Sequence, residues 1–197
     1  MNIEKYCNLM EEVKKRTLAI NGILSGKYTT SFKATNIEFV YLQLRKILEI
    51  IALSSLVANK NEFEKREIKF EKFWNPKFII KDIERLNPDF YPKPVKEIPS
   101  IKPNTKNDLV DISEGFLTKE EFVEIYDKCG KILHTDNPFG SKADLNEYEK
   151  QITSWMGKIK ILLNSHVIKL LDDDNLYLIH MKEKRDNSVH SYVFMKR

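Results

Sequence analysis

Apolar residues recur every three to four positions along much of this chain, which is the period of amphipathic α-helices. The first such run covers residues 3–24, with the charged segment EEVKKR on its outer face. A second run begins at Thr35-Asn36-Ile37-Glu38, a capping box in which Thr35 and Glu38 satisfy the first backbone amides. This second helix is apolar around most of its circumference, so we expect other helices or a second subunit to surround it.

Helix signals continue in the second half of the chain. A short helix is predicted in NEFEKREIKFEKFW, and three further helix starts have typical capping residues, at Asn75-Pro76, Thr118-Glu121 and Asp144-Glu147. The last start opens the longest predicted helix, whose apolar stripe continues through His166 to Leu170, which favours a core role for His166. Between residues 87 and 117, five prolines predict an extended surface loop.

The segment from residue 176 to 196 alternates apolar and polar residues with period two, which predicts two β-strands. A turn at Asp186-Asn187 would join them into a hairpin packed on the helices. This register predicts a shared face that consists of Tyr177, Ile179, Met181, Tyr192 and Phe194. It also predicts that His180 and His190 face opposite sides.

These elements predict a mainly α fold: a bundle of long antiparallel helices with a proline-rich excursion and a C-terminal β-hairpin. We expect a single domain over residues 1–197, with the helical bundle over 1–172, its long loop over 87–117 and the hairpin over 176–196. The composition agrees, because 197 residues with 42% hydrophobic and 31% charged side chains are enough to enclose one core.

Charge and cysteine usage limit the classes of function. The 33 basic and 29 acidic residues give a net charge of +4, and their interleaving leaves no field that by itself implies nucleic acid. Two isolated cysteines, Cys7 and Cys129, suit a reducing compartment. No signal-peptide pattern is present and charges interrupt the most apolar segment, so we expect a cytoplasmic protein with no membrane partner.

The sequence lacks the motifs of common cofactor and metal sites. Its six glycines form no phosphate-cradling loop, which argues against P-loop nucleotide hydrolysis. Neither cysteine has a partner at zinc-ligand spacing, and the LDDDN run at residues 171–175 lacks the glycine and distal glutamate of a calcium loop. We therefore expect no cofactor and no metal ion.

Two charged residues on the apolar second helix are the first candidates for a site. Arg45 and Glu49 lie one helical turn apart, and charges on a surrounded helix are costly unless they are paired. One interpretation is an internal ion pair that fixes the helix register. The other is a guanidinium group that lines a pocket for a phosphate or a carboxylate.

The segment YDKCGKILHTDNPFG, residues 126–140, is the second candidate. Gly130 lies inside a predicted helix, where glycine costs about 1 kcal/mol relative to alanine, so its missing side chain should serve a close helix crossing or access to His134. His134 is either a catalytic residue or the last turn of a helix that stops at DNP. The pocket predicted for a ligand or partner is lined by Arg45, Glu49, Tyr126 and Gly130.

Two segments resemble a known superfamily. FVYLQLRKILEIIALSSLVANK, followed by IYDKCGKILHTDNPF, resembles bacterial all-helical proteins of the HEPN-like (higher eukaryotes and prokaryotes nucleotide-binding) superfamily, over roughly residues 36–171. The resemblance implies a helical bundle, often dimeric, in toxin-antitoxin and phage-defence systems. In active members it implies a metal-independent ribonuclease with an R-x(4–6)-H motif, whose histidine handles a proton while the arginine neutralises phosphate charge.

The chain departs from that motif around His134, where Lys128, Cys129 and Gly130 occupy the place of the arginine and its polar follower. A literal match, RDNSVH at residues 185–190, spans the predicted hairpin turn. The first hypothesis is therefore a binding component of a defence or stress system without catalytic activity, which acts through a protein partner or as a homodimer. The second is a ribonuclease that cleaves RNA with His134 and with Lys128 or Arg45 as the cation.

A third hypothesis places a small-ligand site beneath the proline-rich loop. Aromatic and basic residues in that loop would cover the pocket. They are Phe90, Tyr91, Lys93, Lys96 and Lys102.

Overall fold

In the computed structural model, helices pack on one face of a five-stranded antiparallel sheet. The structure describes residues 3–58, 76–103, 105–134, 144–170 and 175–195, with only the backbone of residues 76–79 and 86. The predicted mainly α bundle is wrong, because the sheet takes in segments that were expected to be loop or helix.

Five helices and five strands lie within the described residues. The helices are α1 (Ile3–Leu24), α2 (Lys33–Ala58), α3 (Pro76–Leu86), α4 (Lys119–Ile132) and α5 (Leu145–Asn164). The strands are β1 (Lys93–Pro99), β2 (Asn107–Asp111), β3 (Ser165–Lys169), β4 (Leu176–His180) and β5 (His190–Phe194). Their order in the sheet is β2-β1-β3-β4-β5, and each neighbouring pair is antiparallel.

Helix starts follow from local residues where the cap is well formed. The Thr118 hydroxyl accepts from the Glu121 backbone N–H while the Glu121 carboxylate accepts from the Thr118 N–H, so this predicted capping box is confirmed. Asp144 accepts from two backbone amides at the start of α5, which confirms the second cap. The predicted box at Thr35 is wrong, because α2 begins two residues earlier, at Lys33.

The proline-rich connection is not a loop, because residues 93–99 and 107–111 pair as β1 and β2. Two of its prolines lie near the ends of β1, at Pro94 and Pro99, where a missing N–H removes little of the hydrogen-bonded ladder. The prolines led to the prediction of a loop, although the fixed φ angle of proline is compatible with a β-strand.

The longest predicted helix also ends earlier than expected. α5 stops at Asn164 and the chain continues directly into β3, so His166 lies on a strand. Val167 and Ile168 pack into two different apolar clusters, one on each face of the sheet. A short continuous apolar run of this kind fits a helix or a strand equally well, which is why its period was misleading.

The C-terminal hairpin of β4 and β5 has a register that differs from the predicted one. Leu178 pairs with Tyr192, and His180 pairs with His190. The predicted face that joins Tyr177, Ile179 and Met181 to Tyr192 and Phe194 is therefore wrong, and the two histidines lie on the same face. Because strand side chains alternate, a shift of one residue moves every side chain to the other face.

The main core surrounds α2, between the other helices and the inner face of the sheet. Twelve residues of α2 are buried, and α1, α3, α4 and α5 all contact this helix. Most of its apolar circumference is thus covered by its own chain, although Leu42 and Leu53 are 39% and 36% exposed. A small second cluster, Val95, Val167 and Leu178, lies on the outer face of the sheet.

Several sequence predictions lie outside the described residues. They are the short helix in NEFEKREIKFEKFW, the cap at Asn75, the DNP stop after His134 and residues 171–174 of the LDDDN run. None of the helices in the described ranges is long and apolar enough to cross a membrane.

Candidate functional site

The structure brings together the four residues predicted to line a pocket, between α2 and α4. Arg45 Nη2 donates a hydrogen bond to the Tyr126 hydroxyl at 2.6 Å, and the guanidinium carbon lies 4.4 Å from the centre of the Tyr126 ring. Arg45 Nε donates to Glu49 Oε1 at 3.3 Å. We call Arg45, Glu49, Tyr126 and Gly130 the Arg45 cluster.

Gly130 provides the space that this arrangement needs. A Cβ atom at residue 130 would lie 3.2 Å from Arg45 Nη1, closer than ordinary van der Waals contact. The missing side chain therefore lets the guanidinium lie against the surface of α4. Sequence reasoning proposed a helix crossing or access to His134, and it did not identify Arg45 as the group that Gly130 accommodates.

The Arg45 cluster contains an ion pair within α2, between Arg45 and Glu49, that lies against α4. The side chains of Arg45 and Glu49 are 30% and 21% exposed, so both are largely shielded from water. Burial raises the pKa of Tyr126, although the positive charge of Arg45 opposes the shift, so the phenol stays neutral and accepts from the guanidinium. The geometry fits the interpretation of an ion pair that fixes helix register, because Nε and Nη2 already have protein acceptors.

The catalytic residues of the ribonuclease hypothesis come from two parts of the fold, Arg45 from α2 and Lys128 and His134 from α4 and the residues after it. Lys128 Nζ lies 2.9 Å from Glu124 Oε1 and 5.4 Å from the centre of the Trp155 ring. His134 is exposed just beyond the end of α4. Within the part of the chain that the structure describes, no hydrogen bond or ion pair joins His134 to Lys128 or Arg45.

The residues predicted to cover a small-ligand site have structural contacts instead. Phe90 is buried in the main core, and the Tyr91 hydroxyl donates to the Leu117 carbonyl at 3.0 Å. Lys93 forms an ion pair with Asp111 at 2.6 Å, which ties β1 to β2. Phe90 and Tyr91 thus pack this segment against the main core, and Lys93 joins two strands of the sheet.

A groove that the sequence did not reveal lies between α1 and α5. It has a volume of about 730 Å³ and is lined by residues from 13 to 24 of α1, from 153 to 164 of α5 and by three residues of the β4–β5 connection. Both helices pack on α2, yet they barely contact each other. Leu18 lines this α1–α5 groove and is 68% exposed.

The lining of the groove is apolar, with charge of one sign. Its apolar side chains are Val13, Leu18, Leu24, Met156, Ile159, Leu163 and Met181. Three lysines, Lys14, Lys160 and Lys182, also line it, and no acidic residue does. A Cβ at Gly157 would meet nothing within 4 Å, so the α5 wall is open there. The available sequence signal was Leu18, an apolar residue off the stripe of α1.

A polar cluster lies on the outer face of the sheet, around His180. Its Nδ1 lies 3.4 Å from Glu183 Oε2, and its Nε2 lies 2.9 Å from Glu97 Oε1. The Tyr192 hydroxyl donates to Glu183 Oε2 at 2.8 Å. Hydrogen bonds from Tyr192 and His180 hold the pKa of Glu183 below its ordinary value, so this carboxylate stays charged and orients the Tyr192 ring.

Comparisons with known proteins identify no relative, because no family model, no curated protein and no solved structure matches this chain. The HEPN-like resemblance therefore stays a prediction. Within the described ranges, no group of three or more His, Cys, Asp and Glu side chains is placed to hold a metal ion.

Proposed function

We propose that this protein is a binding component without catalytic activity, and that it takes an acidic amphipathic helix of a partner protein in the α1–α5 groove. The observation that carries the proposal is the groove itself, an open apolar channel between two helices that share a core but barely contact each other. Apolar surface with polar residues at its rim is found at binding sites for proteins and ligands.

The dimensions of the groove suit a helix. The lining runs over residues 13–24 of α1 and 153–164 of α5, which at 1.5 Å per residue is about 17 Å, or three turns. Helices that bind in grooves use apolar anchors at i, i+3 or i+4, and i+7 over a similar length. The 68% exposure of Leu18 shows an open channel, which favours a helix over a ligand that needs enclosure.

The charges of the lining select an acidic partner. Lys160 and Lys182 are exposed, and Lys14 pairs with Glu11 at 3.0 Å while it also lines the groove. Because no acidic residue lines the groove, a helix with glutamate or aspartate along its flanks would meet only positive charge there. Such complementarity raises association rates and discourages basic partners.

This proposal moves the binding surface away from α2. The apolar circumference of α2 first suggested a partner, but most of that surface is buried within the chain. The setting of a bacterial defence or stress system rests on the HEPN-like resemblance alone. The ribonuclease alternative lacks comparable support, because within the described residues His134 has no hydrogen bond or ion pair to either predicted cation.

The test uses two designed helical peptides with the same leucine anchors, one flanked by glutamates and one by lysines. We expect the acidic peptide to bind the full chain in a fluorescence anisotropy titration and the basic peptide not to bind. Leu18→Ser, which removes an apolar anchor without adding charge to the groove, should weaken binding by about tenfold, or ~1.4 kcal/mol. Gly157→Trp should weaken it as well, because the indole fills open space on the α5 wall.

Leu42→Ser is the matched control, since Leu42 is 39% exposed on α2 and does not line the groove. It should bind the acidic peptide as the wild type does. Equal binding of both peptides, or no binding of either, contradicts the proposal. RNA cleavage by the purified chain that disappears in His134→Ala would instead support the ribonuclease alternative.

A further inference from the structure

The strand β5 lies at one edge of the sheet and pairs with β4 on one side only. Among the described residues, no element pairs with its other side. An edge strand presents a row of backbone N–H and C=O groups that another strand can bind.

The two edge strands of this sheet, β2 and β5, are protected to different degrees against pairing with a strand of another molecule. The edge strand β2 has an aspartate at each of two positions, and these carboxylates bond to lysines: Asp111 to Lys93 and Asp108 to Lys102. Charged side chains are a common protection against pairing between edges. β5 and the residue after it have no charged residue from 191 to 195.

The side chains of β5 leave apolar surface exposed on both faces of the strand. Tyr192, Val193, Phe194 and Met195 are 40%, 52%, 49% and 79% exposed. Strand alternation places Tyr192 and Phe194 on the outer face and Val193 on the face toward the helices. An exposed, uncharged apolar edge is the kind of strand that binds another strand.

The position of Tyr192 is already fixed in the free chain. Its hydroxyl donates to Glu183 Oε2 at 2.8 Å, and its ring lies 5.1 Å from the His180 ring. A side chain that is held in place before association loses little conformational entropy when a partner strand arrives. The polar cluster around His180 thus prepares this edge for pairing.

We propose that β5 pairs in antiparallel orientation with β5 of a second copy of this chain, which joins two five-stranded sheets into one ten-stranded sheet across a twofold axis. The uncharged run of residues 191–195 offers no charge that would select a different chain, and it opposes no like charges when it pairs with itself. Because the other described edge, β2, is charged, the association closes at two copies and does not continue into a fibre.

Sedimentation equilibrium of the full chain over a series of concentrations tests this pairing. We expect the average mass to rise from 23.2 kDa toward twice that value as the concentration increases. Val193→Lys should remain at the monomer mass, because a lysine on an edge strand discourages pairing with another strand. Ile101→Lys makes the same change in charge at an apolar residue that is 98% exposed away from β5, so it should associate as the wild type does.

Hydrogen exchange of the wild type gives a readout that needs no variant. Exchange of the backbone amides of residues 190–194 should slow as the concentration increases, while that of the β2 amides should not change. Leu18→Ser should dimerise normally, which separates this surface from the α1–α5 groove. A wild type that stays at 23.2 kDa at every concentration, or a folded Val193→Lys that associates as the wild type does, overturns the proposal.

Discussion

Arg45 shows how a single residue can link two helices of this fold. Its guanidinium bonds to Glu49 on its own helix and to Tyr126 on α4, and Gly130 leaves room for it. A charge on a helix that is otherwise buried would be costly without such partners. The residue types and their spacing indicated an ion pair. The contact with Tyr126 joins residues 81 positions apart, so only the folded structure reveals it.

Tyr126→Phe removes one acceptor of the Arg45 guanidinium and little else. We expect the free energy of unfolding to fall by about 1–2 kcal/mol, because a half-buried hydrogen bond to a charged group is lost. In an Arg45→Met background the same substitution should cost much less, since the donor is already absent. Urea denaturation of the four proteins measures this coupling.

Tyr28→Phe is the matched control for that cycle, because Tyr28 is 53% exposed and its ring packs on Gly22, while its hydroxyl has no hydrogen bond within the described residues. Its removed hydroxyl should change stability by less than about 0.5 kcal/mol. Additive costs of Tyr126→Phe and Arg45→Met would mean that the 2.6 Å hydrogen bond contributes nothing to stability.

Two helices of this protein begin where a side chain caps the first backbone amides. The same two helices also contain a glycine each, for different reasons. Thr118 and Asp144 cap α4 and α5 with hydrogen bonds to residues two or three positions away, so local sequence was enough to locate these starts. Gly130 in α4 accommodates a side chain of another helix, whereas Gly157 in α5 faces open space. A mid-helix glycine therefore does not by itself identify its purpose.

The same substitution at these two glycines should have unequal effects. Gly157→Ala should raise the free energy of unfolding by about 1 kcal/mol, because alanine favours the helix and its Cβ meets nothing within 4 Å. Gly130→Ala should gain clearly less, since its Cβ would lie 3.2 Å from Arg45 Nη1 and the guanidinium must move. Urea denaturation compares the two variants with the wild type, and equal gains would contradict the role assigned to Gly130.

At the scale of the whole molecule, His166 joins the helical layer to the sheet. This fully buried residue of β3 donates from Nδ1 to the Leu163 carbonyl at 2.8 Å and accepts at Nε2 from the Tyr6 hydroxyl at 2.8 Å. The carbonyl only accepts, so the neutral ring with its proton on Nδ1 satisfies both bonds. Burial lowers the pKa of His166 from 6.5 to about 4.

This burial predicts a loss of stability in mild acid. Below about pH 6.5 His166 binds a proton in the unfolded chain, whereas in the folded chain it stays neutral down to about pH 4. The contribution of His166 to stability is therefore fully present above about pH 6.5 and decreases as the pH falls. Between pH 7 and pH 5 we expect a loss of about 2 kcal/mol from this residue. Urea denaturation at several pH values measures it.

His166→Gln provides the control, because it removes the titrating group while it keeps a polar side chain. This variant should be less stable at neutral pH and should show a flatter dependence on pH between 7 and 5. The carboxylates of Glu121 and Asp108, whose lysine partners help to lower their pKa values, lose their contribution mainly at more acidic pH. An unchanged slope in His166→Gln would assign the acid sensitivity to other groups.

The sequence by itself determined the features that depend on neighbouring residues. The capped starts of α4 and α5, the start of α3 at Pro76, the apolar nature of α2 and the pairing of Arg45 with Glu49 all follow from contacts within one helical turn or from helical period. These interactions form wherever the helix forms, so reasoning from local pattern was sufficient for them.

Only the tertiary structure decided the features that join distant segments. The strands β1 and β3, the register that pairs His180 with His190, the place of Gly130 beside Arg45 and the α1–α5 groove all depend on which surfaces meet. A short apolar run fits a helix or a strand, and a register depends on burial on both faces of a sheet. Long-range packing therefore selected between alternatives that the local pattern did not distinguish.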